Sequence, residues 1–436
     1  MSKSLEEKNE SGIRSFPKNY WVVIIMEFFE RGSYYGVMSI LSVYLVMDVA
    51  AGGLGFTKTS VGVIKSSIQP MLYLLPILSG ALADRFGYRK TLFFAFIVMS
   101  IGYFFTSLVT SYSLVFSSLM LMVVGAGFFK PIISGTIARS TNEKNSTLGF
   151  GIFYWSINLG AFLFPLILVP YLKQYSYSYI FVMAAVFTGS LLLLNLFFYK
   201  EPDKPKSTKS ILEVLKGAVM VLADYKFIML IVVYSGFWIL YFQMFDTVLW
   251  YFTDYIDKEP VNRAVNGFLS LFVSNPGWQF AEEHVTVINA GIIILLQILI
   301  SNIVKNTKAL PTMITGIAFG TIGMGILAIS THAWVFVAGI VIFSIGEMTA
   351  HPKFISYVGM IAPADKKALY LGYMFLYGVL GSGIGGILGA NLYTYYVDQL
   401  KSPSTLWLIF SFIGLLTIGG LLIYNKIVNK KQVQLK

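Results

Sequence analysis

The sequence predicts an all-α membrane protein of twelve transmembrane helices in two six-helix bundles, and three observations carry that prediction. Of 436 residues, 56% are apolar and only 12% charged, about half the charged share of a water-soluble domain, and the mean hydropathy is +0.72. Twelve apolar runs each reach the ~20 residues a helix needs to cross a bilayer. A basic, proline-bearing stretch from Lys200 to Lys226 divides those runs six and six, as expected of two pseudo-repeated halves. Lipid is therefore the main solvent, and a helix meets its own backbone hydrogen-bonding needs there. The net charge of +11 does not point to nucleic acid, because the basic residues sit singly beside apolar runs instead of gathering on one soluble face. There is no cysteine, which excludes disulfides, thiolate catalysis, iron–sulfur clusters and zinc–thiolate sites.

The spans follow in order. The first, 19–47, carries Glu27, Glu30 and Arg31 and no small-residue cleavage site, so it reads as a retained helix and not a secretory signal. The second, 60–82, is bent by Pro70 and Pro76; the third is 91–110; the fourth, 113–139, holds Lys130 followed by Pro131; the fifth and sixth are 148–171 and 179–199. The linker, 200–226, has Pro202 and Pro205 and then an amphipathic pattern (Ile211, Leu212, Val214, Leu215, Val219) suited to a membrane surface. It is too short for two extra crossings. The second six are 227–252, 285–304, 310–330, 333–361 with Glu347, 368–397 and 404–425. Gly381, Gly385 and Gly389, four residues apart in the eleventh span, allow close helix approach. The domain reading is thus a tail 1–18, a bundle 19–199, the linker 200–226, a bundle 227–425 and a tail 426–436. An external loop, 253–284, rich in acidic residues, is expected to be a hairpin or helix pair and not a catalytic domain.

Lysine and arginine concentrate on the cytoplasmic side of membrane proteins. Twenty-three of the 32 basic residues fall on one side, five (Lys58, Lys173, Lys258, Arg263, Lys401) on the other, and four (Arg31, Lys65, Lys130, Lys353) within spans. Both termini are therefore expected in the cytoplasm, with the chain multi-pass in the plasma membrane.

Within the first span Glu27, Glu30, Arg31 and Tyr34 recur at i, i+3, i+4 and i+7, one stripe of a helix. Three ionised groups facing lipid would cost roughly 8 to 10 kcal/mol, so they must face a wet cavity or each other. Arg31 cancels one carboxylate only, and the surplus suits a proton carrier. Lys130 and Glu347, opposite in sign and one in each half, could form a bridge that protonation of Glu347 breaks; a static bridge is the plainer reading. Lys65 and Lys353 are expected to snorkel to the span ends. His284, His332 and His351 are scattered, His351 being expected at a helix end, and no HExxH, GxxxxGK[ST] or GxSxG occurs. No enzyme, metal site or cofactor is expected.

Several motifs then resemble one family. GALADRFGYRK (80–90) is similar to the loop between spans two and three of the major facilitator superfamily. EFFERGSYYG (27–36), GAGFFKPIISG (125–135), FYWSINLGAF (153–162) and GEMTAHP (346–352) resemble, in order, the signatures of its proton-dependent oligopeptide transporters. The resemblance implies symport of di- and tripeptides with protons by alternating access. It implies that Glu27, Glu30, Arg31, Lys130 and Glu347 couple protons and that Arg31 and Lys130 receive the peptide carboxylate and Glu347 the amino terminus. It further implies that Tyr34, Tyr35, Tyr73, Asn158 and Asn289 line the cavity and that Asp84 and Arg85 latch the cytoplasmic gate. A functional monomer is expected, with short peptides, protons and the bilayer as partners.

The departures matter equally. Where the family resemblance places a charged pair at the outer gate, this chain has Met38 and Phe242; near the usual tryptophan of the eleventh span it has Met374. Alternatives are transport of another small anionic or modified solute, such as nitrate or a metabolite, or a peptide receptor that no longer transports.

Overall fold

A chain in hydrocarbon is driven to close its backbone hydrogen bonds locally, and this one does so with helices. The computed structural model describes residues 12–142, 144–201 and 211–434. Residues 1–11 of the expected N-terminal tail, 202–210 of the linker and 435–436 of the C-terminal tail lie outside the described residues. Among the described residues the only β feature is an isolated bridge, Asp257 with His332.

The helices are α1 (Lys18–Met38), α2 (Lys58–Phe86), α3 (Tyr88–Leu108), α4 (Tyr112–Ser140), α5 (Ser146–Lys173) and α6 (Ser178–Phe197), then α7 (Tyr225–Tyr255), α8 (Glu283–Val304), α9 (Ala309–Ile326), α10 (Ala333–Ile361), α11 (Leu369–Gln399) and α12 (Pro403–Gln434). Eleven of these, α2 to α12, are apolar and long enough to cross a membrane; α1 is 21 residues long and carries the three charges already singled out. The chain is a multi-pass membrane protein.

Several ends differ from expectation. The run expected at 19–47 breaks after Met38 and resumes as Leu41–Val46. α7 continues to Tyr255 but is interrupted at 244–246, between Tyr225–Gln243 and Thr247–Tyr255. The loop expected at 253–284 contains one helix, Glu259–Leu269. A twelve-residue helix, Ile211–Leu222, occupies the amphipathic part of the linker, and α12 runs on to Gln434, into the segment expected as a C-terminal tail.

The chain forms two compact units, residues 1–38 with 71–216 and residues 39–70 with 217–436. The segment 39–70, expected in the N-terminal bundle, thus groups with the second unit. Its polar side chains explain why: Lys58 reaches Asp254 and Asp398, Lys65 reaches Asp246, and the Ser66 hydroxyl accepts from the Ile387 amide at 2.8 Å.

Within the first unit α1 packs on α5 and α6, and α3 on α4 and α6; within the second, α7 packs on α11 and α12, and α9 on α10 and α12. Adding six to each label of the first set gives the second, which is the pattern of an internal repeat. The equivalent crossings use the same device. A Cβ added at Gly102 in α3 would stand 2.5 Å from the Met122 nitrogen of α4, and one at Gly316 in α9 would stand 2.5 Å from the Ala350 nitrogen of α10. In α11, Gly381, Gly385 and Gly389 all lie against α7, at Trp238, Ile239 and Gln243. Small residues serve here because lipid offers no hydrophobic drive for association, so contact must come from close backbone approach.

Gly346 tests this. A Cβ there would lie 2.5 Å from both the Gly316 carbonyl oxygen and the Gly320 nitrogen, so Gly346→Val should force α9 and α10 apart. Overpacking costs typically about 1 to 3 kcal/mol, and the melting temperature in detergent should fall accordingly. A melting temperature equal to that of the parent protein would show the crossing to be loose.

Candidate functional site

In the first unit, helical spacing delivers the charge stripe of α1 to one side, and the fold buries it. Glu30 is fully buried and Glu27 and Arg31 are 3% exposed. Arg31 grips Glu30 with two bonds, Nε to Oε2 at 2.5 Å and Nη2 to Oε1 at 2.6 Å. Glu27 Oε1 is 3.8 Å from Arg31 Nε. The pairing is therefore unequal: Glu30 is held in the bidentate geometry that suits a guanidinium, whereas Glu27 is held only loosely. The Arg31 guanidinium also lies 4.8 Å from the ring centre of Tyr34, which packs edge-on to Tyr35.

Lys130 enters from α4, one residue before Pro131, and lies within electrostatic reach of Arg31, Glu30 and Glu27. Its ammonium is 5.7 Å from the ring of Tyr73 in α2. Two carboxylates and two cations thus balance in one apolar bundle. Asn158 in α5 is 7% exposed and its amide donates to the Tyr154 carbonyl at 2.9 Å, back along its own helix. Close approach of α5 to α1 depends on Gly160, where a Cβ would stand 2.6 Å from the Phe28 carbonyl oxygen. The fold therefore gathers Glu27, Glu30, Arg31, Tyr34, Tyr35, Tyr73 and Lys130 around the meeting of α1, α2 and α4.

Asp84 and Arg85 lie at the far end of α2. Asp84 is 3.5 Å from Arg139 of α4, while the Arg85 guanidinium extends over the ring of Phe86. Glu201 accepts the amides of Tyr88 and Arg89 at 2.6 and 2.7 Å and so caps α3. Sequence reasoning named neither Arg139 nor Glu201 as a partner here.

In the second unit, Glu347 sits midway along α10. The Asn289 amide of α8 donates to Glu347 Oε2 at 3.1 Å and to Ser344 Oγ at 2.9 Å. No cation of this unit lies within ion-pair distance of Glu347 among the described residues. One turn on, His351 is not at a helix end as expected. It lies inside α10 with Tyr234 Oη 3.5 Å from Nδ1 and with Trp238 and Tyr377 edge-on at 5.3 and 5.8 Å. Lys353 does not snorkel either: it is 8% exposed and its ammonium donates to the Thr307 carbonyl at 2.8 Å.

The largest surprise is Lys65. It is fully buried and its Nζ is 2.9 Å from Asp246 Oδ1. Asp246 was overlooked in the sequence, although a carboxylate within the run 227–252 carries the same signal that exposed Glu347. Met38 and Phe242, the apolar replacements, are buried at 1% and 4% exposure.

Comparison with known proteins places the fold. The profile of the Major Facilitator Superfamily matches residues 23–385. An uncharacterized transporter of Bacillus subtilis strain 168 is 36% identical over 191 residues, 43% of this chain and 38% of the relative. A di-/tripeptide transporter of Lactococcus lactis subsp. cremoris is 30% identical over 249 residues, 54% of this chain and 48% of that protein. The matched stretch is thus less than half the length of each of these relatives. Among solved structures, a peptide transporter POT in complex with alafosfalin superposes with a TM-score of 0.78 at 21% identity, covering 98% of both chains. A POT family transporter in complex with 5-aminolevulinic acid gives 0.75 at 23% identity, covering 98% of this chain and 99% of that one. At such identities the likeness establishes the fold.

Proposed function

Because the chain belongs to the major facilitator superfamily, its profile spanning residues 23–385, we propose that it is a proton-coupled symporter that imports di- and tripeptides by alternating access. One observation carries the reading: two carboxylates and two cations are buried together in the first unit, with Glu30 held by two bonds from Arg31 and Glu27 only at 3.8 Å. In the first unit the charges of Glu27, Glu30, Arg31 and Lys130 sum to zero, so a peptide carboxylate arriving at Arg31 and Lys130 would leave one negative charge in excess. A proton on Glu27, the less tightly held carboxylate, restores the balance. Binding of the anion and of the proton therefore favour each other, which is the linkage a symporter requires.

In the second unit Glu347, oriented by Asn289, offers an oxygen to the peptide amino group and, as a second protonatable carboxylate, shares the proton coupling with Glu27. The zwitterionic form of a short peptide matches one cationic and one anionic anchor. Tyr34, Tyr35, Tyr73 and Asn158 supply hydrogen-bonding and aromatic walls, and Asp84 with Arg85 serves the cytoplasmic gate. Relatives named as di-/tripeptide transporters support the substrate class. In the proposed orientation both termini are cytoplasmic, the protein lies in the plasma membrane, and one copy suffices for transport.

Reconstitution tests the reading. Liposomes containing the purified protein should accumulate a labelled dipeptide above equilibrium when an inward proton gradient is imposed, and a protonophore should collapse that accumulation. If no component of a small-peptide mixture enters under these conditions, the reading fails. A second reading, a small zwitterionic or anionic solute other than a peptide, is favoured by one detail: Met374, 5% exposed, stands near the position of a usual aromatic residue. Competition of 5-aminolevulinic acid or nitrate against dialanine would separate the two.

A further inference from the structure

The segment between α7 and α8, residues 256–282, has no part in the transport reading above, yet it is firmly attached. Its helix, Glu259–Leu269, opens with Pro260 in the first turn, where a fixed φ suits a helix start. One side of the helix docks. Val261 is 5% exposed, the Asn262 side-chain oxygen accepts the Phe280 amide at 2.6 Å, and Asn266 exchanges two bonds with the Trp278 backbone at 2.7 and 2.8 Å. Phe280 in turn lies edge-on to Phe252 of α7, ring centres 4.8 Å apart, and Phe252 meets Phe336 of α10 at 5.3 Å. Asp257 adds a backbone bridge to His332, the residue that caps α10. The loop helix is therefore fixed to the neighbouring ends of α7 and α10.

Docking does not use all of its apolar residues. Ala264, Phe268, Leu271 and Phe272 recur at i, i+4, i+7 and i+8, a second stripe, which turn bonds from the Leu271 and Phe272 amides carry past the last helical residue. Phe268, Leu271, Phe272 and Val273 are 62, 74, 73 and 56% exposed, and Phe268 and Phe272 pack edge-on at 5.5 Å. Glu259, Arg263 and Ser270 fall on the opposite side, where Arg263 pairs with Glu259 at 3.5 Å and both stay largely exposed. A contiguous apolar surface of this kind marks a contact with something other than water. The attachment to α10 sets its height. Trp334, two residues beyond His332, is 47% exposed, and an exposed tryptophan at a span end marks the boundary between headgroups and hydrocarbon.

We propose that Phe268, Leu271, Phe272 and Val273 insert at the headgroup–acyl boundary of the leaflet bordering this loop, the outer leaflet in the orientation proposed above, and that the helix is an interfacial anchor for the second unit. Two observations choose lipid as the occupant. A helix with charges on one side and phenylalanine and leucine on the other, held at headgroup height, has the arrangement of helices that lie in a membrane surface. In addition, the charges of 256–273 cancel, Asp257 and Glu259 against Lys258 and Arg263, so apolar burial is the attraction that remains. Through Phe280 and Asp257 the anchor fixes the depth of the α7 and α10 ends in the bilayer.

The absence of native cysteine makes the test direct. Leu271→Cys and Ser270→Cys, neighbours on the apolar and polar sides, are each labelled with the fluorophore NBD in nanodiscs that hold a single copy of the protein. Lipids carrying a nitroxide near the top of the acyl chain should quench the label at 271 roughly threefold more than the label at 270, and aqueous iodide should do the reverse. Exchanging neutral for anionic phospholipid should leave both ratios unchanged. Adding Phe268→Ser with Phe272→Ser should raise iodide access at 271 to that at 270 without lowering the melting temperature, because Val261, Asn262 and Asn266 still dock the helix. Equal iodide access at 270 and 271 with both phenylalanines in place would overturn the proposal, since the stripe would then face water. Shielding at 271 that appears in crowded liposomes but not in single-copy nanodiscs would also overturn it and assign the stripe to a second copy of this chain. No readout involves peptide, so failure of the transport reading leaves the anchor to be judged by quenching.

Discussion

Glu347→Gln is expected to abolish proton-driven accumulation of peptide while leaving peptide–peptide exchange nearly intact. Glutamine keeps the length and the oxygen that accepts from Asn289 at 3.1 Å, so the position and its hydrogen bond survive. What is lost is the capacity to alternate between a charged and a neutral state. Net uptake with a proton requires that alternation; exchange of labelled for unlabelled peptide does not. Accumulation should therefore fall by about 100-fold or more, the scale on which loss of a positioned proton carrier acts, and counterflow by no more than a few-fold. Equal loss of both would assign Glu347 to binding or folding and remove it from coupling.

Arg31→Met is expected to have the largest effect on the protein itself. Among the described residues Arg31 is the bidentate partner of Glu30, which has no exposed surface, and lies 3.8 Å from Glu27. Removing one partner of a buried pair strands the other, at a cost of about 3 to 5 kcal/mol. The melting temperature should fall sharply, and peptide binding, read by ligand-induced thermal stabilisation, should vanish. The double change Glu30→Gln with Arg31→Met should regain most of the stability and none of the peptide binding. If the single variant melts with the parent, the cluster is solvated and its role in coupling is lost.

Much of this was legible before any coordinates. Hydropathy is local, so the spans could be placed from runs of apolar residues, and α10 begins and ends where expected, at 333 and 361. Charges inside such runs are equally visible, because each is expensive unless compensated; Glu27, Glu30, Arg31, Lys130 and Glu347 were found that way. The partner of Asp246 lies about 180 residues away in sequence, and the depth of Lys65 in α2 cannot be told from its distance to a span end. His351 was misplaced for the same reason.

The sequence by itself therefore determined the solvent of this protein, the number and order of its helices and the charges that need an explanation, since each of these depends on neighbours along the chain. Only the tertiary structure decided which partner each charge takes: Arg31 chooses Glu30 over Glu27, Asp84 meets Arg139, Lys65 reaches Asp246, and residues 39–70 join the second unit. Pairing depends on how separate helices cross, and those crossings are set by where glycines let backbones meet, a property that no single stretch of sequence contains.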